Sequence, residues 1–168
     1  MLEQAAQQLN KGSFENAIEA FTACLLVDPK ESQALRGRAT ARFQLKDWSG
    51  AEAGFRKALE LDSAEPENRL GVAMSLAMRL EVYPAIAEFE TLTQQHPDFV
   101  RGHIQLALFQ IKIGAITKGK SILQEALMHR PSMTERRFIE DTLTEQDKLD
   151  KGRYYRPDFE ALKKRKSN

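Results

Sequence analysis

Residues 32–61 read SQALRGRATARFQLKDWSGAEAGFRKALEL, and the spacing of their apolar side chains decides the fold. Those side chains return at intervals of three and four, not at every second position, so the stretch forms helices and not half-buried strands. The spacing predicts one helix over about Ser32 to Leu45 and a second over about Ser49 to Leu61. In the second, Ala51, Phe55, Ala58 and Leu59 fall on one face. Stepping outward by 34 residues in either direction finds the same residue types again. Ala5, Ala39, Ala73 and Ala107 form one ladder; Ala17, Ala51, Ala85 and Gly119 a second; Phe21, Phe55, Phe89 and Leu123 a third; Cys24, Ala58, Leu92 and Ala126 a fourth. The fifth is Pro29, Ser63, Pro97 and Pro131. Five ladders in one register mean a repeat protein, an architecture used mostly as a binding surface.

Each ladder has a physical job. Antiparallel helices joined by a short turn approach closely only where a crossing side chain is small, and the alanine ladders meet that need. The phenylalanines, with Phe14, Trp48, Val82 and Ile116, fill the space between. Ser49 and Thr117 stand where a side-chain oxygen can cap a second helix. Pro84 is tolerated in the corresponding first turn of unit three. Pro29, Pro97 and Pro131 stop a helix. Ser63 breaks that ladder, and Pro66 is expected to do the same work slightly later.

A 34-residue helix–turn–helix unit with small, small, aromatic, small and proline at these spacings resembles the tetratricopeptide repeat. The resemblance covers about residues 1–131 in four units. It implies an all-α fold: a right-handed α-solenoid of antiparallel helix pairs. Two departures stand out. Leu35, Arg69 and His103 occupy the place where the family often has Trp, and Leu92 replaces a small residue, so units three and four are expected to meet at an altered angle. A full first helix in this register would begin several residues before Met1.

After Pro131 the period fails. Residues 132–150 read as one amphipathic capping helix, with Phe138, Ile139, Thr142, Leu143, Gln146 and Leu149 as its apolar side. Residues 151–168 form a basic tail in which seven Lys or Arg face only Asp158 and Glu160. The rest of the chain carries eighteen basic against twenty-two acidic residues, so a net charge of +1 hides the asymmetry. Arg153, Arg156, Lys163, Lys164, Arg165 and Lys166 carry the tail's charge. Gly152 loosens the chain ahead of a short helix opened by Pro157. Three readings compete for this tail: a solubilising terminus, a docking motif for a partner or second copy, and a nucleic-acid, membrane-surface or nuclear-import signal.

In such repeats the first helix of each unit lines the concave face. Arg36, Thr40, Phe43 and Gln44 are the expected groove residues of unit two. Glu67, Leu70, Met74, Ala77 and Met78 follow in unit three, and Arg101, Ile104, Leu108, Ile111 and Lys112 in unit four. An apolar middle between polar ends suits an amphipathic helix or an extended segment with hydrophobic anchors. The alternatives are that these residues are core, are covered by the chain's own C-terminal segment, or pair with a second copy. The resemblance also brings to mind members that clamp the acidic tail of heat-shock chaperones. The matching positions here are Leu2, Ala6, Gly37, Glu67 and Gly71, none of which supplies a suitable donor.

Signs of catalysis are missing. His96, His103 and His129 are read as isolated surface or loop histidines, with no second ligand at a metal-binding interval. Gly114 and Gly119 flank a turn inside the repeat and form no phosphate loop, and the carboxylate pairs lie on helix surfaces. Neither an enzyme nor a cofactor is expected. Cys24 is expected to be a packed thiol. Composition is that of an ordinary soluble protein, and the N-terminus lacks a basic-then-apolar leader, so an intracellular, cytoplasmic setting is expected. The leading functional reading is a non-catalytic scaffold or adaptor that binds a protein segment; a client-protecting chaperone, similar to the small tetratricopeptide chaperones of bacterial secretion, and a self-assembling structural protein are the alternatives. Nucleic acid is not the expected partner. Replacing Ala39 with Leu is expected to overpack the helix crossing and to cost about 1–3 kcal/mol in chemical denaturation.

Overall fold

A computed structural model describes residues 1–154. Eight helices pair as four hairpins: α1 (Leu2–Asn10) with α2 (Phe14–Val27), α3 (Ser32–Gln44) with α4 (Trp48–Leu61), α5 (Pro66–Met78) with α6 (Val82–Gln95), and α7 (Val100–Lys112) with α8 (Ile116–Ala126). A one-turn 3-10 helix (Leu127–His129) then leads to α9 (Met133–Tyr154). The hairpins stack in series, each second helix against the first helix of the next unit. The architecture is therefore an all-α solenoid of antiparallel helix pairs.

The alanine, phenylalanine and small-residue ladders are buried throughout the four units. Glycine tightens the contacts further. A Cβ on Gly54 would meet the Ala39 methyl at 2.8 Å, and one on Gly119 would meet the Ala107 carbonyl oxygen at 2.8 Å. Between units, the Phe21 ring lies against Gly37 and the Phe55 ring against Gly71, where an added Cβ would fall within 2.2 and 2.4 Å of ring carbons. The third junction breaks this rule because Gln105 holds the glycine's place in the register. There Phe89 leans on Phe109, with centroids 5.9 Å apart. The bulk of Leu92 is accommodated opposite Gly102, where a Cβ would come within 3.1 Å of the leucine.

Several local expectations need correcting. Asp47, not Ser49, caps α4: its Oδ1 accepts from the Gly50 N–H at 2.9 Å, and Ser49 lies inside the first turn. The residue before α8 is Ala115, and no side chain caps that helix, so Thr117 is inside it too. Pro66 does not stop a helix but opens α5, where its missing N–H costs nothing. Ser132 does form a capping box with Glu135, the two side chains each accepting from the other's backbone N–H. α9 continues through Gly152, where a loosened chain was expected.

α9 lies against α8 and α7, with Ile139 fully buried and Leu143 packed on the core. Lys120 of α8 reaches both Asp147 and Asp150, holding the far end of the helix. Phe138 and Leu149, expected on the apolar side, are about half exposed. A chain of ion pairs ties units two and three: Arg79 to Glu52, Glu52 to Arg56 at 2.9 Å, Arg56 to Glu88 at 3.1 Å and Glu88 to Arg69 at 2.7 Å. A separate pair, Lys118 with Glu90, joins units three and four.

One ladder went unread in the sequence. Gly12, Lys46, Leu80 and Gly114, spaced 34 apart, all adopt positive φ of 77°, 64°, 63° and 90°. Each follows a first helix, and the next N–H donates back to the carbonyl five residues earlier, as from Glu81 to Leu76 at 3.0 Å. A leucine in this region carries a Cβ clash that glycine avoids, and Leu80 is 77% exposed, so it offers little burial in return. Leu80→Gly is expected to raise stability by about 0.5–1 kcal/mol in urea unfolding, the relieved clash exceeding glycine's greater unfolded-state entropy.

Candidate functional site

The first helices of units two to four line a continuous cleft. Its larger part, a cavity of about 280 Å³, is bounded by Arg36, Thr40, Phe43 and Gln44 of α3, Phe55 of α4, Glu67, Leu70, Gly71 and Met74 of α5, and Arg101 of α7. A smaller part of about 140 Å³ shares Met74 and continues over Ala77, Phe89, Gln105, Leu108, Phe109 and Lys112. The hollow arises where Gly71 withdraws its side chain in favour of the Phe55 ring, leaving Phe43, Leu70 and Met74 as an apolar floor. Phe43 is steadied from behind by Trp48, edge to face at 4.8 Å.

Of the expected groove residues, Arg36, Thr40, Phe43, Gln44, Glu67, Leu70, Met74 and Arg101 come together in the larger part, and Ala77, Leu108 and Lys112 in the smaller. Three do not line either. Ile104 is 6% exposed and belongs to the core. Ile111 points at its own hairpin partner, where its Cγ1 fills the space a Cβ on Gly119 would need. Met78 is 42% exposed beyond the end of the cleft. Phe55, Gly71, Phe89, Gln105 and Phe109 line it without having been anticipated. Phe55 and Phe89 already had a packing role in the register, so nothing in the sequence marked their second one. Arg153, Arg156, Lys163, Lys164, Arg165 and Lys166 of the basic tail lie outside the residues whose side chains the structure describes.

The cleft's charges are largely matched internally. Arg36 pairs with Glu65 at 2.9 Å, and Arg101 with Glu67 at 2.7 Å. Burial alone would push the Glu65 carboxyl up, but Arg36 and the Glu67 N–H together hold it below its ordinary value. Both glutamates come from the start of α5, so one helix end neutralises a cation on each side. Lys112 has no ion-pair partner among the described residues.

The histidines are not all isolated. His103 is buried, accepts the company of His129 in a stack with centroids 4.8 Å apart, and contacts the Pro97 carbonyl oxygen at 3.0 Å. The expectation of a surface histidine failed because its ladder position faces the interior, as Leu35 does in unit two. Among the described residues no group of three or more His, Cys, Asp or Glu could hold a metal ion. No helix of the described residues is long and apolar enough to cross a membrane.

Leu70 is 2% exposed although it touches the cleft, so a charge there would be buried in the core. Leu70→Asp is expected to cost about 3 kcal/mol or more and to lower the melting temperature sharply, read by circular dichroism.

No family model matches the sequence. Protein CTR9 homolog of Arabidopsis thaliana is 26% identical over 122 residues, which cover 70% of this chain and 11% of that protein. The chain thus spans about a tenth of the length of this curated relative. Solved structures agree in fold at lower identity. MamA from Desulfovibrio magneticus RS-1 superposes with a TM-score of 0.68 at 17% identity, covering 99% of this chain and 94% of that one. The second TPR domain of human RPAP3, solved in complex with the HSP70 peptide SGPTIEEVD, gives 0.61 at 19% identity over 64% of this chain and 90% of that one. The first TPR of Spaghetti (RPAP3), bound to the HSP90 peptide SRMEEVD, gives 0.62 at 19% identity over 66% and 88%. Register, hairpin stacking and these superpositions converge: the fold is that of the tetratricopeptide-repeat solenoids.

Proposed function

We propose that the protein is a non-catalytic interaction module that holds an apolar or amphipathic segment of a partner protein in the cleft along α3, α5 and α7. The observation that carries this reading is a continuous apolar floor flanked by arginines whose charge is already met. Phe43, Leu70, Met74 and Leu108 offer hydrophobic contact over two adjoining hollows, and a flexible methionine joins them. The two RPAP3 domains were solved with peptides ending in EEVD. An acidic tail entering this cleft would have to displace Glu65 from Arg36 and Glu67 from Arg101, which favours an apolar ligand here.

Thr40 and Leu108 are partly exposed and sit in the two hollows, so they can be changed without opening the core. Random 16-residue peptides displayed on phage serve as the probe. Selection on the wild-type protein is expected to enrich peptides carrying spaced Leu, Ile, Phe or Met. Thr40→Arg combined with Leu108→Lys is expected to keep the wild-type helicity and to weaken capture of those peptides at least tenfold. Equal capture by the folded variant would remove the cleft as the binding site.

A further inference from the structure

His103 occupies the register position of Leu35 in unit two and Arg69 in unit three, and the residue is 4% exposed. A carbonyl oxygen can only accept, so the 3.0 Å contact with Pro97 places the proton on Nε2 and leaves Nδ1 as the free base. The His129 ring lies over it with the planes only 22° apart. A stacked ring presents its face and not a lone pair, so it cannot accept a second N–H from His103. His129 ends the 3-10 turn, Arg130 follows in the left-handed region at φ 53°, and α9 starts at Met133. His129 therefore sits on the covalent link between the fourth unit and the terminal helix, and His103 of α7 packs against it.

Few charges could relieve a proton there. Glu125 of α8 is near enough to favour one, while Asp98 of the α6–α7 connection and Arg130 line the cleft beside His129. Burial, first, and the neighbouring His129 hold the His103 imidazole below the ordinary histidine value, against the opposing pull of Pro97 and Glu125.

We propose that His103 and His129 form an acid-operated latch: a proton taken up at Nδ1 of His103 ends the stack, frees the Leu127–His129 turn and loosens α9 from unit four. The sign follows from linkage. A base whose folded-state affinity for protons is depressed stabilises the fold fully above the ordinary histidine value and loses that contribution as pH falls through the depressed one. The latch is shut at neutral pH and opens in mild acid. Lys120 tethers the far end of α9 through Asp147 and Asp150, so α9 swings from its start.

Amide hydrogen exchange on the full chain at about pH 7.5 and about pH 5.5, corrected for intrinsic rates, tests the latch. Protection over Leu127–Leu143 is expected to fall at least tenfold in acid, with α3 and α4 unchanged and Trp48 fluorescence constant as a report on unit two. His129→Leu keeps the Pro97 contact and removes the pair; His103→Leu restores the residue type of unit two. The folded His103→Leu variant is expected to lose the difference between the two pH values, and His129→Leu, which leaves His103 buried, to reduce it. Wild-type protection that ignores pH, a tenfold loss retained in both variants, or a loss spread evenly over all four units would overturn the proposal.

Discussion

The structure rests on an aromatic ring laid against a backbone that carries no side chain. Phe21 on Gly37 and Phe55 on Gly71 join unit to unit at van der Waals distance, and both rings are almost wholly buried. Dispersion and apolar burial act together at these joints because nothing separates ring from helix. The alanine crossings inside each hairpin serve the same end, bringing the two helix axes close enough for the phenylalanines to reach the next unit.

The third joint shows what happens when this pairing is lost. With Gln105 in the glycine's place, Phe89 turns to Phe109, and the small residue that the second helix lacks at Leu92 is supplied instead by Gly102 of α7. The cleft changes character at the same point. Its larger hollow lies over the Gly71 joint and its smaller one over the Gln105 joint, so the chemistry available to a ligand is set by how each pair of units is fastened. Charge follows the same plan: the start of α5 lends one glutamate to Arg36 and another to Arg101, and the cleft is left mainly apolar.

The terminal helix is attached differently from the repeats. It has no glycine joint. Ile139 and Leu143 give it an apolar footing, Lys120 holds one end through two aspartates, and a single turn ending in His129, stacked on the buried His103, holds the other.

The spacing of residues by itself determined the helical period, the two helices of unit two to within about a residue and most of the buried ladders, because these depend on local periodicity and on side-chain size at repeated positions. It also pointed to eight residues of the larger hollow, since concave positions follow from the register. Only the tertiary structure decided that Ile104 is core, that Ile111 turns to Gly119, and that Phe55 serves both a joint and the cleft wall, because each depends on the rotation of one helix against two neighbours. The same holds for His103 and His129. They are 26 residues apart in the chain and look unrelated there; folding α8 back along α7 brings their rings into contact.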